Sequence, residues 1–210
     1  MASGRLDAEY YQPKYDEFER MITSYKYGYG RIRDYFNHNT EVFSEKSSMF
    51  NYIEIGDINI TTGETSYNEI SAENLPDNAK RKVYKDDLLI SKVRPYRGAV
   101  SIIDFEKENL IASGAFTVLQ EKTNYKKEVL QVLLRTPMYK EWLLKWNVGS
   151  SYPVIKDEDV LNLPIPIITE ETQETIAQKI QQSFTLRAES KRLLEEAKTL
   201  VEHEIESKRQ

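Results

Sequence analysis

The sequence predicts an α/β (α+β) fold closed by one long helix, and three observations carry that prediction. Between Lys85 and Leu119, β-branched-rich apolar runs (Leu88–Ile90, Ala99–Ile103 and Phe116–Leu119) are separated by turn residues, the pattern of consecutive strands. On either side, apolar residues recur at three- and four-residue spacing, through Tyr15, Phe18, Met21 and Ile22 and again from Val129 to Trp146, as on amphipathic helices. From Thr169 to Gln210 there is neither proline nor glycine, so a single helix is free to run to the end.

The elements follow in order. Residues 5 to 36 are rich in tyrosine (Tyr10, Tyr11, Tyr15, Tyr25, Tyr27, Tyr29, Tyr35), and Pro13 fits the first turn of a helix that Gly28 and Gly30 close off. Such aromatics stack on bases in some proteins and more often pack a helix onto its own domain. Tyr52 to Ile60 alternates like a strand followed by a turn. The polar stretch from Thr61 to Asn78 is expected to be a long loop with little regular structure. Next comes a basic, aromatic corner, Lys92, Arg94, Tyr96 and Arg97, bent by Pro95 and Gly98. A small-residue turn, Ser113-Gly114-Ala115, precedes the third apolar run. Pro137 divides the segment from Tyr125 to Trp146 into two helices. Val148 to Ile155, with Gly149-Ser150-Ser151-Tyr152-Pro153, is a loop suited to close approach of a ligand or partner, or an ordinary connection. The two prolines in Leu161 to Ile168 exclude helix interior and central strand, leaving an extended edge segment.

Thr169 is the expected N-cap of the last helix, with Thr172 or Gln173 at the capping-box position. Ile176, Ile180, Leu193, Ala197, Val201 and Ile205 mark its apolar stripe. At 1.5 Å per residue a helix of about 38 residues is about 57 Å long, longer than the domain beside it. Part of the stripe therefore needs another helix, and an antiparallel second copy around a two-fold axis is the expected mate. The chain is divided accordingly into a unit at 1–168 and a helix at 169–210.

Composition excludes several classes. No apolar run approaches the roughly 20 residues that span a bilayer, and Met1 to Asp7 lacks a signal-peptide core. Without cysteine there is no disulfide, thiolate site or thiol nucleophile, which is compatible with a cytoplasmic setting. His38 and His203 stand far apart, so neither a histidine triad nor a histidine metal cluster is expected. Gly149-Ser150-Ser151 lacks nucleophile-elbow spacing, and no phosphate loop or dinucleotide fingerprint is present. The acid-x-Lys triplets fall in the terminal helix, where no nuclease centre would be built. The net charge of −5 is segregated: seven basic residues against two acids between Lys80 and Arg97, and six against two between Lys122 and Lys145. Basic segments with a tight loop suit an anionic polymer. No cofactor and no metal are expected; the chain reads as a binding module.

The order of these motifs resembles a known family. Leu88 to Pro95, Ile111 to Phe116, Gly149 to Pro153, Leu163-Pro164-Ile165-Pro166 and a long helix entered near Gln173, with Arg5-Leu6-Asp7-Ala8-Glu9-Tyr10-Tyr11 at the start, is similar to a target recognition domain of the DNA specificity subunit of type I restriction–modification systems. The resemblance implies a partly barrel-like, twisted sheet followed by a spacer helix. It implies a non-catalytic reader of one half of a split target in double-stranded DNA. Its partners would be a methyltransferase subunit using S-adenosylmethionine and, in some complexes, a restriction subunit. The chain departs by holding one recognition domain and one long helix, as in a half-length subunit that dimerises or the specificity part of a larger single-chain restriction enzyme. An adaptor whose basic loops bind an acidic protein surface is the alternative class.

In that resemblance Pro95, Gly98, Gly114 and Pro153 are framework, and base-reading positions vary with the target. Residue chemistry points to Lys92, Arg94, Tyr96 and Arg97, with Ser113, Ser150, Ser151 and Tyr152, as the residues nearest DNA. For Arg94 a salt bridge inside the domain is the competing reading.

Overall fold

The structure, a computed structural model, describes residues 5–44, 47–148 and 152–207, Lys80 by its backbone alone. Helix α1 (Pro13–Thr23) starts on Pro13, whose fixed φ suits the first turn, and buries Tyr15 and Ile22 while leaving Met21 exposed. Strand β1 (Tyr29–Arg31), the one-turn helix α2 (Ile32–Tyr35) and strand β2 (Phe36–His38) follow. Then come β3 (Met49–Ile53), β4 (Asn68–Ser71), β5 (Ala79–Lys82), β6 (Leu88–Ser91), β7 (Val100–Ile102), β8 (Leu110–Ser113) and β9 (Phe116–Glu121). Helix α3 (Lys127–Leu134) and helix α4 (Pro137–Trp142) are separated at Pro137, which opens α4 beneath a Thr136 cap. The short helix α5 (Asp157–Leu161), strand β10 (Pro164–Pro166) and helix α6 (Glu170–Ser207) complete the chain.

The strands form two four-stranded sheets and one two-stranded ribbon. One sheet, ordered β2-β9-β6-β7, is antiparallel throughout. The other, β4-β3-β8-β5, contains a parallel β3–β8 pair. The proline-flanked β10 pairs only with β1, where its missing N–H groups do least harm. The partly barrel-like sheet implied by the resemblance is thus realised as two open sheets, with no closed barrel among the described residues.

Layering explains the continuous apolar run at 88–91. Leu88 and Ile90 face a large core shared with α1, α3 and α4, whose biggest buried rings are Tyr15, Tyr139 and Trp142. Leu89 faces the opposite way, into a second core with Ile53, Leu110, Ala112 and Val118. The strand is covered on both faces and so cannot alternate. The outer face of the second sheet carries a small cluster of Phe50, Tyr52 and Ile111.

Two expectations are corrected. The segment from Thr61 to Asn78 contains β4, paired with β3, because Asn68-Glu69-Ile70-Ser71 lies on a sheet edge and needs little apolar content. Helix α5 was not foreseen; three acids at its start suit a helix N-terminus but give no apolar period.

Helix α6 runs as expected, and its stripe divides in two. Gln173 and Ala177 are buried, Ile176 packs against the main core and Ile180 is half-buried. Gln181 donates to Glu128 at 3.1 Å and Lys191 meets Glu64 at 2.8 Å. Ile176, half-buried, thus packs against the domain's own core. The 16 residues after Lys191 are all exposed, Leu193, Leu194, Ala197, Leu200, Val201 and Ile205 among them, and extend about 24 Å. Among the described residues no helix is long and apolar enough to cross a membrane.

Candidate nucleic-acid interface

Three segments far apart in sequence meet at one corner. The end of β6 is held by the β8–β9 turn, through Lys92 N–H donating to the Ala115 carbonyl at 2.8 Å. On its other side Ile155 N–H donates to the Lys92 carbonyl at 3.0 Å and Arg94 N–H to the Pro153 carbonyl at 2.8 Å. Val93 bridges Val154 between those bonds. Arg94 has a left-handed backbone, φ 47°, and Pro95 opens a single 3-10 turn that Gly98 closes at φ 74°. Glycine takes that conformation without strain, and a Cβ there would lie 2.9 Å from Lys140 Cδ. The stem of Lys140, on α4, therefore crosses Gly98 and brings the second basic segment to the first.

The corner presents cations and an aromatic ring. The Arg94 guanidinium lies over the Tyr152 ring, 4.4 Å from its centroid, and Tyr152 is 61% exposed. Arg97 is exposed and Tyr96 half-buried. Neither Arg94 nor Arg97 forms an ion pair among the described residues, so the internal salt bridge weighed for Arg94 is absent there.

Lys92 carries the salt bridge instead. Its ammonium sits 3.1 Å from each carboxyl oxygen of Asp157, the first residue of α5, with only 14% of the Lys92 side chain exposed. Thr117 donates its hydroxyl to the same carboxylate at 2.7 Å, and His38 Nε2 lies 3.7 Å away. Burial pushes the Asp157 carboxyl up, but the Thr117 hydroxyl and Lys92 outweigh it and hold it below the usual range. Burial, with Arg81 and Lys92, holds His38 below its ordinary value despite Asp157.

Ser113 also faces inward: its oxygen accepts from Asn78 at 3.1 Å and from Ala115 N–H at 3.2 Å, shaping the turn that supports Lys92. Ser150 and Ser151 lie outside the described residues. Of the predicted group, the structure brings Arg94, Tyr96, Arg97 and Tyr152 together at the surface and turns Lys92 and Ser113 into the frame.

Most other cations of the two basic segments are engaged. Arg81 donates to the Thr40 carbonyl, Lys127 pairs with Asp86, Lys126 with Glu174 and Lys145 with Glu19. Arg135 caps the carbonyls of Ile60, Thr61 and Thr62. Lys140 was missed by the reading from sequence; its only signal was membership of the second basic segment. Asp157, Thr117 and His38 carried none. Beside the corner a cleft of about 970 Å³ is lined by cations and acids together, Arg5 and Lys156 with Asp7, Glu9 and Asp159, and by the ring of Trp146. Arg5 donates to the Asn147 carbonyl at 2.7 Å, which ties the N-terminal motif to the residue that follows the last turn of the α4 segment. Among the described residues no three histidine or acidic side chains gather to hold a metal.

Comparison with known proteins gives this geometry a context. Residues 26–199 match the family model described as the Type I restriction modification DNA specificity domain. Over 127 residues the chain is 32% identical to the Type I restriction enzyme HindI specificity subunit of Haemophilus influenzae, covering 56% of this chain and 28% of that one. The HsdS subunit of Thermoanaerobacter tengcongensis superposes with a TM-score of 0.59 at 25% identity, over 79% of this chain and 44% of that chain. A chain from a study of complex assembly and conformational transition of the type I R-M system gives 0.60 at 26% identity, over 77% and 45%. The chain thus spans less than half the length of each of these relatives.

Proposed function

The chain belongs to the type I restriction modification DNA specificity domain family, and from that premise we propose that it is a non-catalytic, sequence-specific reader of double-stranded DNA. It recognises one half of a split target and directs a partner methyltransferase, which brings the S-adenosylmethionine, and in some complexes a restriction subunit. The observation that carries this reading is the corner at 92–98 and 152–155. Three distant segments lock its backbone, and it carries Arg97 exposed and Arg94 over the Tyr152 ring, neither in an ion pair among the described residues. Unneutralised cations on a rigid support suit phosphates and base edges.

Residues 1–168 form the recognition unit, and 169–210 form the spacer. The exposed distal stripe of α6 pairs two copies antiparallel and sets two such units at a fixed separation, so a short read-out becomes a split, symmetric target. The work is cytoplasmic, where the DNA is. The alternative length reading, the specificity part of a larger restriction enzyme, keeps the same corner and the same role.

The test is methyl transfer. Purified chain with duplex DNA and labelled S-adenosylmethionine is expected to transfer nothing. With a methyltransferase subunit, transfer is expected at one sequence only, and plasmid incubated with chain and magnesium should stay intact. Transfer by this chain alone, or transfer by the methyltransferase at the same sites without it, overturns the proposal.

A further inference from the structure

We infer that Arg94, whose guanidinium lies over the Tyr152 ring, reads a guanine in the major groove of the target. This rests on the DNA-reading role proposed above and deepens it to one residue and one base.

The backbone gives the first argument. Arg94 sits in the left-handed region at φ 47°, where a residue with a side chain is strained and glycine or asparagine is at ease. Its N–H is bonded to the Pro153 carbonyl and its own carbonyl accepts from Arg97 N–H at 3.0 Å. The corner would keep this shape with glycine at the position. What arginine adds is its side chain, and among the described residues that side chain has no acid to neutralise.

The side chain gives the second. The guanidinium carbon lies 4.4 Å from the centroid of the Tyr152 ring, and among the described residues no acid pairs with the group, so its N–H donors are not spent on an ion pair. The planar fork of an arginine matches an acceptor with two atoms in one plane. In the major groove guanine alone offers two adjacent acceptors, N7 and O6, at that spacing. A phosphate is served by any cation, and two more lie close by, Arg97 at the same turn and Lys140 across Gly98. The division of labour follows: Arg97 and Lys140 hold the backbone, and Arg94 reads.

Tyr152 is then a positioning residue. It supports the guanidinium from beneath, and its contribution exists only while Arg94 is present.

The experiment is selection of bound duplexes from a random pool at low salt with the full chain, in the wild-type, R94K, R94A, Y152F, Y152A and R94A/Y152A forms. Thermal melting checks that each variant is folded; R94K and Y152F are the conservative changes that keep charge and ring. The wild type is expected to select a motif with an invariant guanine. R94A relaxes that one position and leaves the others, R94K relaxes it partly, and Y152F keeps it. Replacing that guanine by 7-deazaguanine weakens the wild type about tenfold or more and leaves R94A unaffected. Y152A weakens the guanine preference, with no further effect in the R94A background. A uniform loss of affinity in R94A with an unchanged motif makes Arg94 a phosphate contact and overturns the inference, as does an R94A variant identical to wild type; in both, DNA reading survives. If the wild type selects no motif, the inference falls together with the function proposed above.

Discussion

Lys92 is the residue whose chemistry and position pull in opposite directions, so its replacement discriminates sharply. In Lys92→Met the stem is kept and the ammonium lost; in Asp157→Ala the carboxylate that holds it is lost. Removing one partner from a fully buried pair costs about 3–5 kcal/mol, and exposed pairs contribute about 0.2–1 kcal/mol. With 14% of the Lys92 side chain and 26% of the Asp157 side chain exposed, Asp157→Ala is expected to destabilise by about 2–3 kcal/mol. It also strands the Thr117 hydroxyl, which donates to Asp157 at 2.7 Å. Lys92→Met is expected to cost about 1–2 kcal/mol, because Asp157 keeps Thr117 as a donor. For a chain of this size 1 kcal/mol moves Tm by about 2–4 °C, so Asp157→Ala should melt about 4–12 °C lower. The double variant should lose at least about 1 kcal/mol less than the sum of the singles. Calorimetry gives the melting points, and DNA binding titrated against salt gives the second readout, where Lys92→Met should keep the wild-type slope. A Lys92→Met protein with unchanged Tm and a slope reduced by about one phosphate unit would refute the framework reading.

Three other outcomes follow from the same structure. Gly63→Ala places a side chain at φ 77°, 2.9 Å from Gln131 Nε2 and in collision with Arg135, and should lower stability by about 1–3 kcal/mol. Gly56→Ala, which meets only Glu54 at 3.4 Å, should change the urea midpoint little. His38 is held below its ordinary 6.5, foremost by burial. The unfolded chain therefore takes up a proton that the folded chain resists, and stability falls as pH drops below about 6.5. Melting at pH 7.5 and 5.5 should show a smaller difference for His38→Gln than for wild type, and equal differences would show that His38 does not titrate this way. Light scattering should give a dimer for the full chain and a monomer for a version ending at Arg187, since exposed Leu193, Leu194, Leu200, Val201 and Ile205 lie beyond it; two monomers at micromolar concentration would remove the helix pairing.

What was legible in the sequence was whatever local pattern determines. The runs at 88–91, 100–102 and 116–121 announce their strands, and Pro13 and Pro137 set helix starts where they stand. The absence of glycine and proline after residue 169 gives a helix of 38 residues. Strand β4 was illegible because an edge strand of Asn, Glu, Ile and Ser bears no apolar period. At the corner, residue type alone could not separate Lys92 from Arg94. Both are cations on one loop; what divides them is Asp157, 65 residues away, which reaches Lys92 and leaves Arg94 to Tyr152. For Ser113 likewise, small size and turn position were visible, and its burial against Asn78 was not. The apolar stripe of α6 was read as one surface, although Ile176 is covered by the domain and Leu193 is open. Periodicity reports a face and says nothing of where the neighbouring domain ends.

The central claim, that the corner of Arg94, Arg97, Lys140 and Tyr152 recognises a DNA sequence, is tested most directly by titrating the chain against two fluorescent duplexes of equal length and composition. One carries the selected motif and the other a scrambled order, each measured from low to physiological salt. The expected result is a motif duplex bound about 10³-fold or more tightly at physiological salt, with both affinities falling steeply as salt rises. Equal affinity for the two duplexes, or binding indifferent to salt, would contradict it.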